Sequence, residues 1–249
     1  MSLAALSVCE DDVHKNKPVR RPDEPLREFP TYTLAEAAAS LALSERTLFD
    51  WYAGANPVLK PSALVKGNIL LSFRDLEEAY KIYILRTKHD LSLQYLRIVM
   101  TDLRNEYNTE HPLLDSGKDL AVFGKLVRNI PGSGRRPRRS VAVGSPETST
   151  FIPEVVKTWG KRIVSIQGRD QIFPWRYFET DKESRPVSID PEVMSGRLVL
   201  TGTRIPVVVL WGRLKAGETI EAIARDYHLA PKQVRQALIH IDKTLEKVA

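Results

Sequence analysis

The sequence predicts a mainly α protein: an N-terminal winged helix-turn-helix and a C-terminal trihelical, helix-turn-helix-like domain, with small β elements. Three observations predict it. A capping-box pattern opens at Thr33 and is followed by apolar residues at three-and-four spacing. A second cap at Ser44 comes a short turn later, and a basic loop with prolines and a glycine leads on to a β-rich run, Ile69 to Phe73. After Pro206, three helical patterns follow one another to the end of the chain, punctuated by Gly217, His228 and Pro231.

Composition sets the outer limits. At 249 residues the chain can form two modest domains, and a hydrophobic content of 43% excludes a disordered reading. A net charge of +6 is compatible with a polyanionic partner without requiring one. The single cysteine, Cys9, cannot build a disulfide framework or a thiolate metal site within one chain, which fits a reducing compartment. There is no signal-peptide pattern and no apolar run approaching about eighteen residues, so the expectation is a cytoplasmic protein without a membrane partner.

Residues 1–29 read as a flexible arm, polar and proline-bearing, with a Lys-Pro-Val-Arg-Arg cluster that is either a solvated tail or a contact to DNA backbone. Residues 30–108 read as the winged helix-turn-helix domain. Thr33 and Glu36 make the capping box, Leu34, Ala37, Ala38 and Leu41 the inner face, and Leu43 the turn. Ser44 caps a second helix with Leu48 and Trp51 inward, leaving Arg46, Thr47, Phe49 and Asp50 on other faces. In such a pair the second helix enters the major groove, so Ser44, Arg46, Thr47, Phe49 and Asp50 are the candidate DNA contacts. Asp50 would be repelled by phosphate unless it accepts from a cytosine amine or pairs with an arginine. Lys60, Lys66 and Asn68, in the loop before the strand, would meet phosphate or the minor groove.

A helix from Ser72 or Phe73 to about Lys88 places Leu76, Ala79, Tyr80, Tyr83 and Ile84 inward. The next, Leu91 to Tyr107, does so with Tyr95, Ile98, Val99 and Leu103. Residues 109–185 form a linking region with a disordered loop at 129–149. That loop carries Arg135, Arg136, Arg138 and Arg139, which read either as a solvated run or as partner-binding guanidinium groups for phosphates or an acidic protein site. Residues 162–166 suit either a helix end or a strand.

Residues 186–249 form the trihelical domain. Gly196 and Gly202 bracket a short strand, Leu198 to Leu200; Pro206 opens one helix, Thr219 caps a second, and Pro231 starts a third. The third carries an apolar stripe of Val234, Ala237, Leu238, Ile241 and Leu245, a candidate dimer seam.

No catalytic constellation emerges, and the chain is expected to be neither an enzyme nor dependent on a cofactor or metal. The five histidines lack metal-ligand spacing and read as surface or cap. Gly132-Ser133-Gly134 lacks the rest of a phosphate loop. Glu77 with Glu78, and Asp181 with Glu183, read as solvated carboxylates without an accompanying base.

The segment Val187 to Leu245, with Ile189-Asp190-Pro191, Gly196-Arg197, Gly202-Thr203-Arg204-Ile205-Pro206-Val207 and Ala216-Gly217-Glu218-Thr219-Ile220, resembles a small prokaryotic family of unknown-function, antitoxin-like domains. Tyr32 to Trp51 is similar to the opening of MerR-like and excisionase-like winged helices. Members with a longer N-terminal extension look like VapB-type antitoxins. That resemblance implies two partners, operator DNA and a PIN-domain ribonuclease toxin, and a homodimer. The other readings are a transcription regulator without a toxin, or a protein-interaction scaffold. Arg204, at a strand-to-helix junction, is expected to hydrogen-bond turn carbonyls and hold the domain together.

Overall fold

A computed structural model describes residues 18, 20–21, 23–88, 91–115, 162–166, 169–174 and 185–245. Among them are eight α-helices and several short antiparallel strand pairs, a mainly α protein with small β elements. Two compact units are present, and they do not follow the chain in order. One joins the described residues up to Phe49 with Pro61–Phe73 and those from Val164 onward; the other joins Asp50–Lys60 with those of Arg74–Ile163.

In the first unit, β1 (Tyr32–Thr33) leads directly into α1 (Leu34–Leu41). The capping box is complete: Glu36 N–H donates to Thr33 Oγ1 at 3.2 Å, and Thr33 N–H donates to Glu36 Oε2 at 2.8 Å. Ala42, in the left-handed region, ends the helix, and its N–H together with that of Leu43 returns to the last carbonyls. Helix α2 (Glu45–Tyr52), which belongs to this unit as far as Phe49, follows after this turn, with Leu48 and Trp51 buried. Strands β2 (Ala63–Val65) and β3 (Asn68–Leu71) form a hairpin, and β1 pairs with the far side of β3, giving the order β1-β3-β2. Lys66 and Gly67, both at positive φ, supply the two-residue turn that a tight hairpin requires.

The C-terminal part of this unit begins within β4 (Ile163–Ile166), from Val164 on, and continues with β5 (Arg169–Ile172), so residues 163–166 form a strand. Ile172 bridges to Ile189, just after β6 (Val187–Ser188), which pairs antiparallel with β7 (Val199–Leu200). Between β6 and β7 a 3-10 turn, Met194–Gly196, packs under Tyr32: a Cβ on Gly196 would lie 1.7 Å from the tyrosine hydroxyl. Gly196 is therefore fixed both by its φ of 78° and by this close approach. Helices α6 (Val207–Lys215), α7 (Ile220–Asp226) and α8 (Pro231–Leu245) follow, with Pro206 as the N-cap of α6, so that this helix begins one place later than the sequence pattern suggests. Thr219 caps α7, as expected, by accepting from Ala222 N–H at 3.2 Å.

The domain core is built from Leu210, Ile223, Ala224, Val234 and Leu238. A second cluster joins Val187, Leu200, Val207 and Ala237. This corrects the expected dimer seam on the last helix: Val234, Ala237 and Leu238 face the core of their own chain. The side chains of Ile241 and Leu245 lie outside the described residues.

The second unit contains α3 (Phe73–Lys88, from Arg74 on), α4 (Leu93–Tyr107) and the single turn α5 (Pro112–Asp115). Helix α4 is rotated from the expected stripe: Leu96, Val99, Met100 and Leu103 are buried, while Ile98 is exposed and Tyr95 half-buried. Helix α3 is covered on most of its circumference, and Asp75, Glu77 and Glu78 are buried with Leu76, Ala79, Ile82 and Leu85. The solvated reading of Glu77 and Glu78 is therefore wrong. The expected arm, apart from its few described residues, and the loop at 129–149 lie outside the described residues, as do Gly132–Gly134, Asp181 and Glu183.

Candidate functional site

The residues expected to touch DNA fall into a helix set and a hairpin set. Ser44 and Thr47 make the start of α2: Ser44 Oγ accepts from Thr47 N–H at 3.0 Å, and the two hydroxyls are 2.7 Å apart. Both are half-buried, so their first task is to begin the helix on which the outward residues stand. Arg46 is exposed, its guanidinium 5.8 Å from the centre of the Phe49 ring, and that ring is itself 39% exposed. This cation–π contact sets the guanidinium beside the ring on the outer side of α2. Asp50, one residue further on, is half-buried. At the hairpin, Lys66 occupies the turn and Asn68 the first position of β3, both exposed, with Leu64 exposed on the edge strand β2.

Lys60 differs from this pattern. It is exposed, but its ammonium pairs with Glu110 at 2.8 Å within the second compact unit. The lysine's hydrogen bond holds the Glu110 carboxyl below the usual carboxylate range. Its charge is thus partly offset where it stands, something fifty residues of intervening sequence conceal. Arg135, Arg136, Arg138 and Arg139 lie outside the described residues.

The Gly-Thr-Arg-Ile-Pro-Val stretch departs from expectation at its arginine. The turn is closed by Thr203, whose N–H and hydroxyl both reach the Leu200 carbonyl, at 3.0 and 2.8 Å, and whose Oγ1 accepts from Ile205 N–H at 3.1 Å. Leu200 N–H completes it by donating to the Ile205 carbonyl at 3.0 Å. With those carbonyls taken, Arg204 is exposed and has no hydrogen bond or ion pair among the described residues.

The polar residues that sequence reasoning missed are on α3. Glu78 Oε1 accepts from Leu113 N–H at 3.0 Å, and Glu78 Oε2 lies 3.4 Å from His111 Nδ1. Lys81 Nζ donates to the Leu113 carbonyl at 3.0 Å, and Arg74 pairs with Asp115, which also accepts from Thr109. Burial pulls the His111 pKa down, but its bond to Glu78 and the charges of Glu78 and Asp75 outweigh that and leave it raised. The surface reading of His111 is thereby corrected, whereas His228 is exposed at the turn before α8, as expected. A signal for Glu78 was present: it stands four residues before Ile82 and seven before Leu85, on the apolar side of the helix. Among the described residues, no group of three or more His, Cys, Asp or Glu is placed to hold a metal ion, and no helix is long and apolar enough to cross a membrane.

A short β hairpin leading into three helices, preceded in the chain by a capped helix pair with its own hairpin, defines the architecture. Against known families, residues 187–240 match the model described as a protein of unknown function (DUF433). Across most of its length the chain is similar to "Putative antitoxin VapB45" of Mycobacterium tuberculosis (strain ATCC 25618 / H37Rv). The two are 25% identical over 232 residues, spanning 85% of this chain and 93% of that protein. The crystal structure of Rv2018 from Mycobacterium tuberculosis shares the fold: 24% identity, TM-score 0.57, covering 88% of this chain and all of the other.

Proposed function

We propose that this chain is the antitoxin of a type II toxin-antitoxin pair, a non-catalytic protein that binds a PIN-domain ribonuclease toxin and represses its own operon as a homodimer. The observation that carries the reading is the similarity to "Putative antitoxin VapB45" over 85% of this chain and 93% of that protein, far more than the short family motif spans. The geometry supports the DNA-binding half. Helices α1 and α2, joined by a tight turn and followed by the β2–β3 hairpin, have the order of a winged helix-turn-helix. Arg46 and Phe49 on α2 supply groove contacts, with Thr47 beside them, and Lys66 and Asn68 at the hairpin tip supply phosphate contacts. The arginines at 135, 136, 138 and 139 are offered to the carboxylates of the toxin.

Electrophoretic mobility shift with the DNA upstream of its own gene tests repression. Affinity should drop at least tenfold between about 50 mM and about 200 mM salt, and Arg46→Ala should weaken binding by about 10- to 100-fold at fixed salt. Absent or salt-insensitive binding would defeat the repressor reading. Co-expression with the neighbouring gene product tests the antitoxin half: a neighbour that is not toxic alone and does not co-purify would leave, at most, a transcription regulator.

A further inference from the structure

Helices α7 and α8 repeat α1 and α2 at a constant sequence offset. Thr33 caps α1 by accepting from the N–H three places on, and Thr219 caps α7 in the same way, both at 3.2 Å. Ala37 and Ala38 are buried on α1 where Ile223 and Ala224 are buried on α7. Ala42 ends the one helix at a φ of 55°, and His228 follows the other at 54°. The leucine that comes next, Leu43 or Leu229, donates its N–H to the carbonyl of Ala38 or Ala224, at 2.9 and 2.8 Å. Leu48 and Val234, at matching places on the second helices, are fully buried. Two unlike sequences therefore make the same turn, which sets how the second helix leaves the first.

The match carries the outward positions of α2 onto α8: Arg46, Phe49 and Asp50 correspond to Lys232, Arg235 and Gln236. Lys232, Arg235 and Ile239 are exposed and Gln236 half-buried, at spacings of three and four, on the side of α8 away from Val234, Ala237 and Leu238. Between Lys232 and Arg235, Gln233 turns its side-chain oxygen back to the Ala230 N–H, 3.1 Å away, and serves the helix start. No carboxylate residue occurs from Pro231 to Ile241, whereas Glu45 and Asp50 both stand on α2. Cations, an amide and an aliphatic group are the side chains that read guanine, adenine and the thymine methyl in a major groove. An acidic protein would need only the cations; the turn shared with α1 and α2 favours DNA.

Two carboxylates of α7 bear on this face. Asp226 is held by Arg213, and Glu221 pairs with Arg235 at 3.5 Å, with side-chain exposures of 59% and 60%. A pair so exposed is weak, and a base edge or phosphate can draw the guanidinium away from it.

We infer that α8 is a second DNA-reading helix of this chain, entering the major groove with Lys232 and Arg235 on base edges and Gln236 and Ile239 beside them. Helix α7 then crosses the backbone, where exposed Arg225 meets phosphate. The inference rests on the DNA-binding half of the proposed function and adds to it a site outside α2 and its hairpin.

The test is a mobility shift of the full chain, first on the DNA upstream of its own gene and then on a pool of randomised duplexes from which bound sequences are recovered. Arg235→Ala should weaken binding to the preferred sequence by about 10- to 100-fold and relax the choice of base at one position, and Lys232→Ala should weaken it several-fold. Glu221→Gln should strengthen binding several-fold, because it frees Arg235 and removes a carboxylate beside it. All three residues are exposed, so the thermal midpoint should stay that of the wild type. If affinity and base preference ignore Arg235→Ala and Lys232→Ala while Arg46→Ala weakens binding, the inference is overturned and the repressor reading stands. Loss of toxin co-purification in the α8 variants with DNA binding unchanged also overturns it and makes the face a protein-docking one. Sequences selected from the pool through α8, without binding to the upstream DNA, defeat only autorepression; binding to neither overturns both.

Discussion

Arg204 and Glu78 make an instructive pair, since each sits where a reading of its neighbours alone would not put it. Arg204 lies in a turn full of carbonyls, yet Thr203 and the backbone satisfy them and the guanidinium is left outside. Glu78 lies beside a second carboxylate on a helix that looks amphipathic, yet it is buried because the segment at 111–113 brings it an N–H and an imidazole. The side with unmet hydrogen bonds decides. A local turn that closes on itself releases its charged residue, and a remote backbone N–H in need of an acceptor draws one in.

Substitutions can break this comparison, and their effects should descend in order. Glu78→Ala leaves the Leu113 N–H and His111 without their acceptor and should cost about 3 kcal/mol in chemical unfolding, with Glu78→Gln, which keeps an acceptor for Leu113, costing clearly less. Thr203→Ala removes both hydroxyl bonds of the turn and should cost about 1–2 kcal/mol. The raised His111 pKa means the folded protein holds that proton more tightly than the unfolded chain. Its contribution is full below about pH 6.5 and is lost as pH rises through the raised value. Wild-type stability should therefore fall relative to His111→Gln from near-neutral pH upward, in a site where Glu78, Asp75 and Arg74 are the neighbouring charges; parallel pH profiles for the two proteins would contradict this. Arg204→Ala should come last, within about 0.5 kcal/mol of wild type in monomer unfolding. A loss as large as that of Thr203→Ala would show that the arginine holds the turn after all.

Much of the local structure was legible because the groups that make it are close in sequence. The capping box of Thr33 and Glu36, the caps at Ser44 and Thr219, and the three final helices all arise within a few residues of their signals. The candidate DNA residues on α2 were legible for the same reason: once Leu48 and Trp51 are inward, helical geometry leaves Arg46 and Phe49 outside. Lys60 was harder, since its partner Glu110 comes from a different part of the chain. The rotation of α4 was hidden because Tyr95 and Ile98 are as apolar as Leu96 and Met100, and periodicity alone cannot choose between overlapping stripes.

The sequence by itself determined where helices begin, which turns need glycine, and that the last quarter of the chain holds a short strand followed by three helices. Tertiary structure alone decided that Pro61–Phe73 shares a compact unit with residues beyond Val164, while the chain on either side of it belongs to a second unit. It also decided that Gly196 must yield space to Tyr32, that Glu78 goes in and that Arg204 stays out. The physical reason is range. Caps and turns are settled by bonds between near neighbours, whereas burial of a polar group depends on whether a distant segment arrives with the matching donor.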